Sequence, residues 1–213
     1  MYCDHNVNLI PDFSEIDVLG EGVCPVAWAK KCIDIAHLNN CGKSVMCRDG
    51  MTQLAVLMDD LVSGRAESED LELIRDLCNV IAAAPGCELS AKAAGNVLKS
   101  MDRYADEWDS HRRRRCKALV CPGCFSLYID PAVCRGCHAC VKAAPDGAIA
   151  WGEGMVSVIK DDSAVRTDEF IAVCPNGAIK KAGAVKPRIP EEPTPVGGAG
   201  DGTEGGRRRR RRG

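Results

Sequence analysis

Between Pro25 and about Trp108 the apolar positions fall mostly three and four residues apart: Val26, Ala29, Ile33 and Leu38, then Met51, Leu54, Met58 and Leu61, then Leu71, Ile74, Cys78 and Ile81. That spacing places each set on one face of a helix. The punctuation agrees with it. Gly64 closes one segment, Ser68 with Leu71 opens the next, Pro85-Gly86 ends that one, and Ser90 can cap the last. Helices in this order predict a small four-helix bundle. After His111 the pattern changes to short β-prone runs, Leu127 to Asp130, Ala148 to Trp151, Val156 to Lys160 and Ala178 to Lys181, separated by cysteine-bearing or helical stretches. This predicts a compact α+β module of about 60 residues, a size that usually needs a metal staple. From Lys186 onward Pro, Gly and Glu dominate, and the chain finishes in the run Arg207 to Arg212 and Gly213. Such composition predicts disorder. The expected organisation is an N-terminal extension (1–22), a helical domain (23–110), a His/Cys junction (111–126), an α+β domain (127–183) and a Pro/Gly/Arg tail (184–213).

Composition narrows the possibilities. The 213 residues include only three Trp, three Tyr and three Phe, so a single large aromatic-rich enzyme core is not expected. The formal charge of -2 hides an asymmetry: 28 basic residues less the six terminal arginines leave 22 against 30 acidic ones. An acidic body with a flexible basic end argues against general nucleic-acid binding. Met1 to Ile10 lacks a basic start followed by an apolar core, and no run of 18 apolar residues occurs. Neither export by a standard signal nor a membrane span is expected. The 14 cysteines bunch at Cys41/Cys47, at Cys116/Cys121/Cys124 and at Cys134/Cys137/Cys140, with Cys87 and Cys174 as distant partners. Bunching points to metal ligands in a reducing cytoplasm, where scattered disulfides would have pointed to an oxidising compartment.

Cys134-x2-Cys137-x2-Cys140 sets three soft thiolates in one tight loop, a spacing suited to iron-sulfur clusters. The segments Cys140-Val-Lys-Ala-Ala-Pro-Asp-Gly-Ala-Ile and Cys174-Pro-Asn-Gly-Ala-Ile echo one another, which indicates an internal duplication. In two-cluster ferredoxins the motif is C-x2-C-x2-C-x3-C-P, and the fourth cysteine of each run ligates the other run's cluster. Here the fourth position of the first run is Ala144, before Pro145, and the second run reads Ala164, Thr167, Phe170 and Cys174, before Pro175. One cluster keeps Cys134, Cys137, Cys140 and Cys174. The other has lost all four ligands together, which fits the abandonment of one whole cluster, with Phe170 able to fill its volume. A zinc site made by three of these cysteines and a neighbour such as His138 is the plainer alternative. The Cys-Pro at 174 and the repeated Gly-Ala-Ile favour iron-sulfur, and Leu127 to Gly183 resembles the bacterial-type ferredoxin domain, which implies a (βαβ)2 fold.

Asn40-Cys41-Gly42-Lys43-Ser44-Val45-Met46-Cys47-Arg48-Asp49-Gly50, with the later Cys87, resembles the iron-sulfur-binding domain of the complex I NADH-binding flavoprotein subunit and of the bifurcating hydrogenase β subunit. The resemblance covers roughly Val18 to Arg115. It implies a 4Fe-4S cluster in a small helical bundle, on Cys41, Cys47, Cys87 and the position of Ser44. A serine hydroxyl is harder and far less acidic than a thiol. Three outcomes stay open: a 4Fe-4S cluster with Ser44 or another ligand at the odd iron, a labile three-iron form, or a bundle without metal. Cys32 and Cys78 sit at helical positions and read as core. In the hydrogenase β subunits a His/Cys/Cys run links bundle to ferredoxin domain and binds structural zinc. The resemblance assigns that role to His111, Cys116 and Cys121, closed by Cys24, with Cys124 as the local alternative.

The same family carries a Gly-rich NADH and FMN domain ahead of its bundle, and the residues before Gly22 are too few for one, so neither FMN nor NAD is expected here. Gly197-Gly198-Ala199-Gly200 has no strand before it or helix after it and carries no phosphate-binding weight. The expected function is therefore a non-catalytic iron-sulfur electron-transfer subunit of a larger oxidoreductase. The partners that the resemblance implies are a thioredoxin-fold 2Fe-2S subunit, a flavoprotein, a hydrogenase or a formate dehydrogenase subunit. The competing expectation is a non-redox scaffold stabilised by zinc and a residual cluster.

Overall fold

The computed structural model describes residues 7–16, 22–84, 86–183 and 187–197. The chain divides into two units, one drawn from Met1–Ser126 with Lys181–Val185, the other from Leu127–Lys180 with Lys186–Gly213. The first is helical and the second is built on small sheets.

In the first unit, α1 (Pro25–Asn39) starts where Pro25 meets the helix without losing a needed N–H, and Cys24 caps it by accepting the Ala27 N–H at 3.5 Å. A π-helical turn over Met46–Gly50 leads directly into α2 (Met51–Val62). Helices α3 (Asp70–Ala83) and α4 (Glu88–Arg103) follow, and a short α5 (Ala105–Arg112) ends the series. Val26, Ala29, Ile33, Leu54, Met58, Leu61, Ile74, Ile81 and Val97 meet in one core, so the three- and four-residue spacing does mark the buried faces. Leu38 departs from the pattern. It is 81% exposed because α1 ends one residue later and its last turn runs past the core. Ser90 also departs. Helix α4 begins at Glu88, so Ser90 lies inside its first turn, buried, with its hydroxyl 3.2 Å from the Cys87 sulfur. Helix α3 starts at Asp70, two residues beyond Ser68, after an N-cap at Glu69 that makes no side-chain cap hydrogen bond; the Asp70 carboxylate accepts the Glu67 N–H of the preceding turn at 2.7 Å.

Part of the stretch expected as an N-terminal extension is packed core. Ile10 and Ile16 are buried, Phe13 meets Trp28 edge to face with ring centres 5.9 Å apart, and Pro11 and Ile16 offer carbonyls to Asn96 and Tyr104 of the α4 region. Trp108 of α5 buries its ring and donates its indole N–H to Ser100 at 3.1 Å.

The second unit runs β1 (Ser126–Ile129), α6 (Ala139–Ala143), β2 (Ile149–Ala150), β3 (Met155–Val156), β4 (Val158–Ile159), α7 (Asp168–Ala172), β5 (Ile179–Ala182) and β6 (Thr194–Pro195). Strand β1 pairs with β5, while β2 and β4 pair antiparallel with Ala150 opposite Val158. The run Val156 to Lys160, expected as one strand, is divided at Ser157. Val156 faces Thr194 of β6 and Val158 faces Ala150 of β2, so successive residues serve different sheets. The disorder expected beyond residue 184 does not extend over 187–197. Thr194–Pro195 forms a strand, Val196 donates its N–H to Gly154 at 3.0 Å, and Lys160 binds Glu192 at 2.7 Å. Backbone pairing with β3 supplies what the Pro-rich composition lacks in hydrophobic burial. The arginine run lies outside the described residues.

Candidate metal centres

Cys24, His111, Cys116 and Cys121 form a buried group whose ligand atoms all lie within 4.8 Å of one another. Cys24 arrives at the cap of α1, and His111 on the last turn of α5, where its Nδ1 lies 2.7 Å from the Glu107 carbonyl one turn earlier. That contact assigns the Nδ1–H tautomer and turns the lone pair of Nε2 inward, where Cys24 and Cys121 sulfurs stand at 3.3 Å. The chain then reverses through Arg114 and Leu119, both at positive φ, and the Cys116 N–H closes on the Cys124 carbonyl at 3.0 Å. Cys121 meets Cys24 at 3.7 Å between sulfurs. A tetrahedron of Zn–S bonds near 2.3 Å separates its sulfurs by about 3.8 Å. The donor set therefore fits one tetrahedral ion and is too tight for a polynuclear core.

The protonation pattern has the same origin. Burial opposes charging His111, yet hydrogen bonds with Cys116 and Cys24 more than offset that and push it up to about 10. Hydrogen bonds from Cys121 and Cys24 hold Cys116 far below the ordinary thiol range, while Cys116 and Cys24 drive Cys121 far above it. These shifts come from ionisable donors crowded together away from water, an arrangement that a divalent cation bound to deprotonated ligands relieves.

Cys124 stands apart from this group. Its sulfur lies 3.6 Å from the Leu61 carbonyl and 3.7 Å from that of Val62 at the end of α2. The loop carrying it approaches so closely that a Cβ on Gly123 would stand 1.8 Å from the Ser63 carbonyl carbon. Of the two cysteines named by the sequence, Cys24 is the one that lies in this group.

In the turn ahead of α2, Cys47 is buried, and burial pushes its thiol up, joined by the neighbouring Cys87; the Gly42 backbone acts the other way. Cys47 and Cys87 are thus neighbours, and Cys41 packs against the same core. Ser44 accepts the Cys47 N–H at 3.1 Å, so its hydroxyl caps the turn. Cys32 and Cys78 are fully buried in helices, and burial raises them to about 11 and about 12.

In the second unit, Gly136 and His138, both at positive φ, bend the loop from Cys134 to Cys140. Burial raises the Cys140 thiol; a Ser157 hydrogen bond opposes this, and Cys134 lies close enough to add to it. Cys137 is exposed, and the half-buried Cys174 accepts the Ala178 N–H at 3.3 Å. The four positions without cysteine have taken other roles. Thr167 caps α7 by accepting the Phe170 N–H at 3.1 Å, Phe170 is buried, Ala164 sits in a short turn, and Ala144 ends α6. No disulfide joins any two of the described cysteines. Sequence reasoning missed Ser157, whose only signal is one polar residue inside an apolar run.

Residues 27–111, from α1 to α5, match the family described as the NADH-ubiquinone oxidoreductase-F iron-sulfur binding region. The chain is 32% identical over 129 residues to the HndC subunit of the NADP-reducing hydrogenase of Solidesulfovibrio fructosivorans, covering 60% of this chain and 26% of that protein. It is 29% identical over 100 residues to the F 2 subunit of the NADH-quinone oxidoreductase of Rhizobium meliloti, 46% of this chain and 24% of that one. The corresponding NADH-quinone oxidoreductase protein of Mycobacterium bovis is 27% identical over 96 residues, 45% of this chain and 22% of its own length. The chain thus spans about a quarter of each of these relatives. The helical unit is the part with an iron-sulfur-binding family behind it. No described helix is long and apolar enough to cross a membrane.

Proposed function

We propose that this chain is an electron-transfer subunit of a larger cytoplasmic oxidoreductase, passing single electrons through a 4Fe-4S cluster held by Cys134, Cys137, Cys140 and Cys174. The observation that carries this reading is the presence, in one chain, of a region matched to an iron-sulfur-binding family and of a separate C-x2-C-x2-C loop. When bound, such a cluster supplies one-electron oxidation and reduction, at a potential set by hydrogen bonds to its sulfurs and by solvent exposure. The chain's contribution is to orient thiolates: Gly136 and His138 bend the loop, and the Ala178 N–H is already aimed at Cys174.

A second cluster belongs to Cys41, Cys47 and Cys87, with Ser44 serving the turn as a cap. Zinc belongs to Cys24, His111, Cys116 and Cys121. All four are nearly or fully buried and no position is open to solvent, which is the pattern of a structural ion. The relatives are named as subunits of a hydrogenase and of quinone oxidoreductases. Those names support partners within a multi-subunit redox complex, and the sequence resemblance adds the particular kinds: a thioredoxin-fold 2Fe-2S subunit, a flavoprotein, a hydrogenase or a formate dehydrogenase subunit.

Anaerobic purification with iron, sulfide and zinc counts, followed by EPR of the reduced and oxidised protein, tests this. A reversible 4Fe-4S signal that disappears in Cys174→Ala is the expected result. Zinc without sulfide, and no redox-dependent signal, would replace the relay by a scaffold.

A further inference from the structure

Residues 134–138 of the cysteine loop lie in neither helix nor strand, so packing has to give the loop its shape. Gly136, midway along it, has a positive φ and meets another part of the chain closely. A Cβ there would stand 3.0 Å from both the Met155 carbonyl oxygen and Cγ2 of Val196. Met155 belongs to β3, and Val196 directly follows β6. The segment that carries Val196 is the one whose Pro-rich composition predicts disorder, yet it is held along its length. Met155 pairs with Pro195 and Val156 with Thr194, and the Val196 N–H reaches the Gly154 carbonyl at 3.0 Å. Lys160 donates to the Glu191 carbonyl and to the Glu192 carboxylate, each at 2.7 Å. His138, at the end of the loop, is held separately, its Nδ1 3.3 Å from Ser157 Oγ.

We propose that the strap of residues 187–197 is a brace for the cysteine loop, with Val196 as a positioning residue that fixes the backbone between Cys134 and Cys137 and so favours loading and retention of the cluster assigned to Cys134, Cys137, Cys140 and Cys174. This rests on the electron-transfer reading above. A loop outside helix and strand samples many conformations, and a cluster that binds one of them bears the cost of freezing the rest. Glycine has the most conformations to lose. A branched methyl packed against Gly136 removes that freedom before any cluster arrives. The contact also accounts for glycine at this position twice over: L side chains rarely adopt its φ, and a Cβ would press on a backbone oxygen that has no rotamer to escape into. Val196 thus acts through the backbone of Gly136.

Two measurements on the full chain test this. In iron-free protein, amide hydrogen exchange across residues 135–138 should be about threefold to tenfold faster in Val196→Ala, which deletes both methyls, than in the parent. Val196→Ile keeps Cγ2 and should match the parent. The amides of β2 and β4 should be unchanged in both. In anaerobically purified protein, a chelator should remove the EPR signal that is lost in Cys174→Ala about tenfold faster from Val196→Ala than from the parent. Equal loop exchange in Val196→Ala and the parent overturns the inference. So does faster exchange spread evenly over β2 and β4, which marks a loosened unit and not a released loop. If Val196→Ala does not fold, Lys160→Met takes its place: it frees the strap at Glu191 and Glu192 and should speed loop exchange by less, and no change overturns the inference. A parent that holds iron and sulfide and loses them no more slowly than Val196→Ala rejects the brace and leaves the relay standing. A parent without sulfide rejects the relay, while exchange in the iron-free loop still decides the brace.

Discussion

Cys24 and Cys124 carry the same functional group, and only their surroundings separate them. Cys24 stands 3.3 Å from the inward nitrogen of His111, whereas Cys124 faces two backbone carbonyls. We expect Cys24→Ala to weaken zinc binding by more than about 100-fold, the upper end of what losing an outer-shell partner costs, and Cys124→Ala to retain a full zinc complement. Metal analysis after dialysis against a competing chelator decides it; zinc retained in Cys24→Ala would move the fourth ligand elsewhere. Cys32 and Cys78 lead to a pH prediction. Burial raises them to about 11 and about 12 from 9.0, so the folded state keeps protons that the unfolded chain releases. Their contribution is fully present below pH 9 and is lost as pH rises toward 12. The slope is at most about 1.4 kcal/mol per pH unit for each thiol. Urea denaturation between pH 8 and pH 11 should show Cys78→Ala falling less steeply than the parent, and equal slopes would contradict the assignment.

Among the elements, positions that a second cluster motif would fill with cysteine serve the packing. Thr167, where a second cluster motif would place cysteine, caps α7, and Phe170 fills the interior beside it. Thr167→Ala should destabilise the second unit by about 1 kcal/mol, with Thr167→Ser near the parent; chemical denaturation reads this, and equal loss in both variants would show that the cap does not operate. The loop at Gly123 is held by the absence of a side chain, since a Cβ there would overlap the backbone of Ser63. Gly123→Ala should cost about 1–3 kcal/mol and loosen zinc by separating Cys121 from Cys24. A variant with parental stability would show that the loop can shift freely. Helix faces were legible because a 3.6-residue period is local. The starts at Asp70 and Glu88 were not, because the N-cap residues Glu69 and Cys87 make no side-chain cap hydrogen bond, so no local capping signal marks them and packing sets where each helix begins.

Across the whole chain, the Cys3His group joins residues 87 and 97 positions apart, closing the helical unit at both ends of its sequence. An ion binding only the folded arrangement stabilises it by linkage, and closing a loop of that length is worth on the order of 4 kcal/mol in chain-entropy terms. Removing zinc with a chelator should therefore lower the melting temperature of the helical unit by ten degrees or more, at about 4–8 °C per kcal/mol. An unchanged transition would mean that the ligands are held by packing alone.

The local pattern determined a great deal: the helical faces, the cysteine loop of Cys134 to Cys140, the absence of cysteine at Ala144, Ala164, Thr167 and Phe170, and the type of donor at each candidate centre. All of these depend on residue chemistry and short spacings. The closure of the Cys3His group by Cys24, the division of a strand at Ser157, the pairing of Thr194–Pro195 with β3, and the packing of Ile10 and Ile16 were decided only by the tertiary structure. Each depends on a contact between residues far apart in the chain, where several partners are chemically equivalent and only the packed backbone brings one of them within reach.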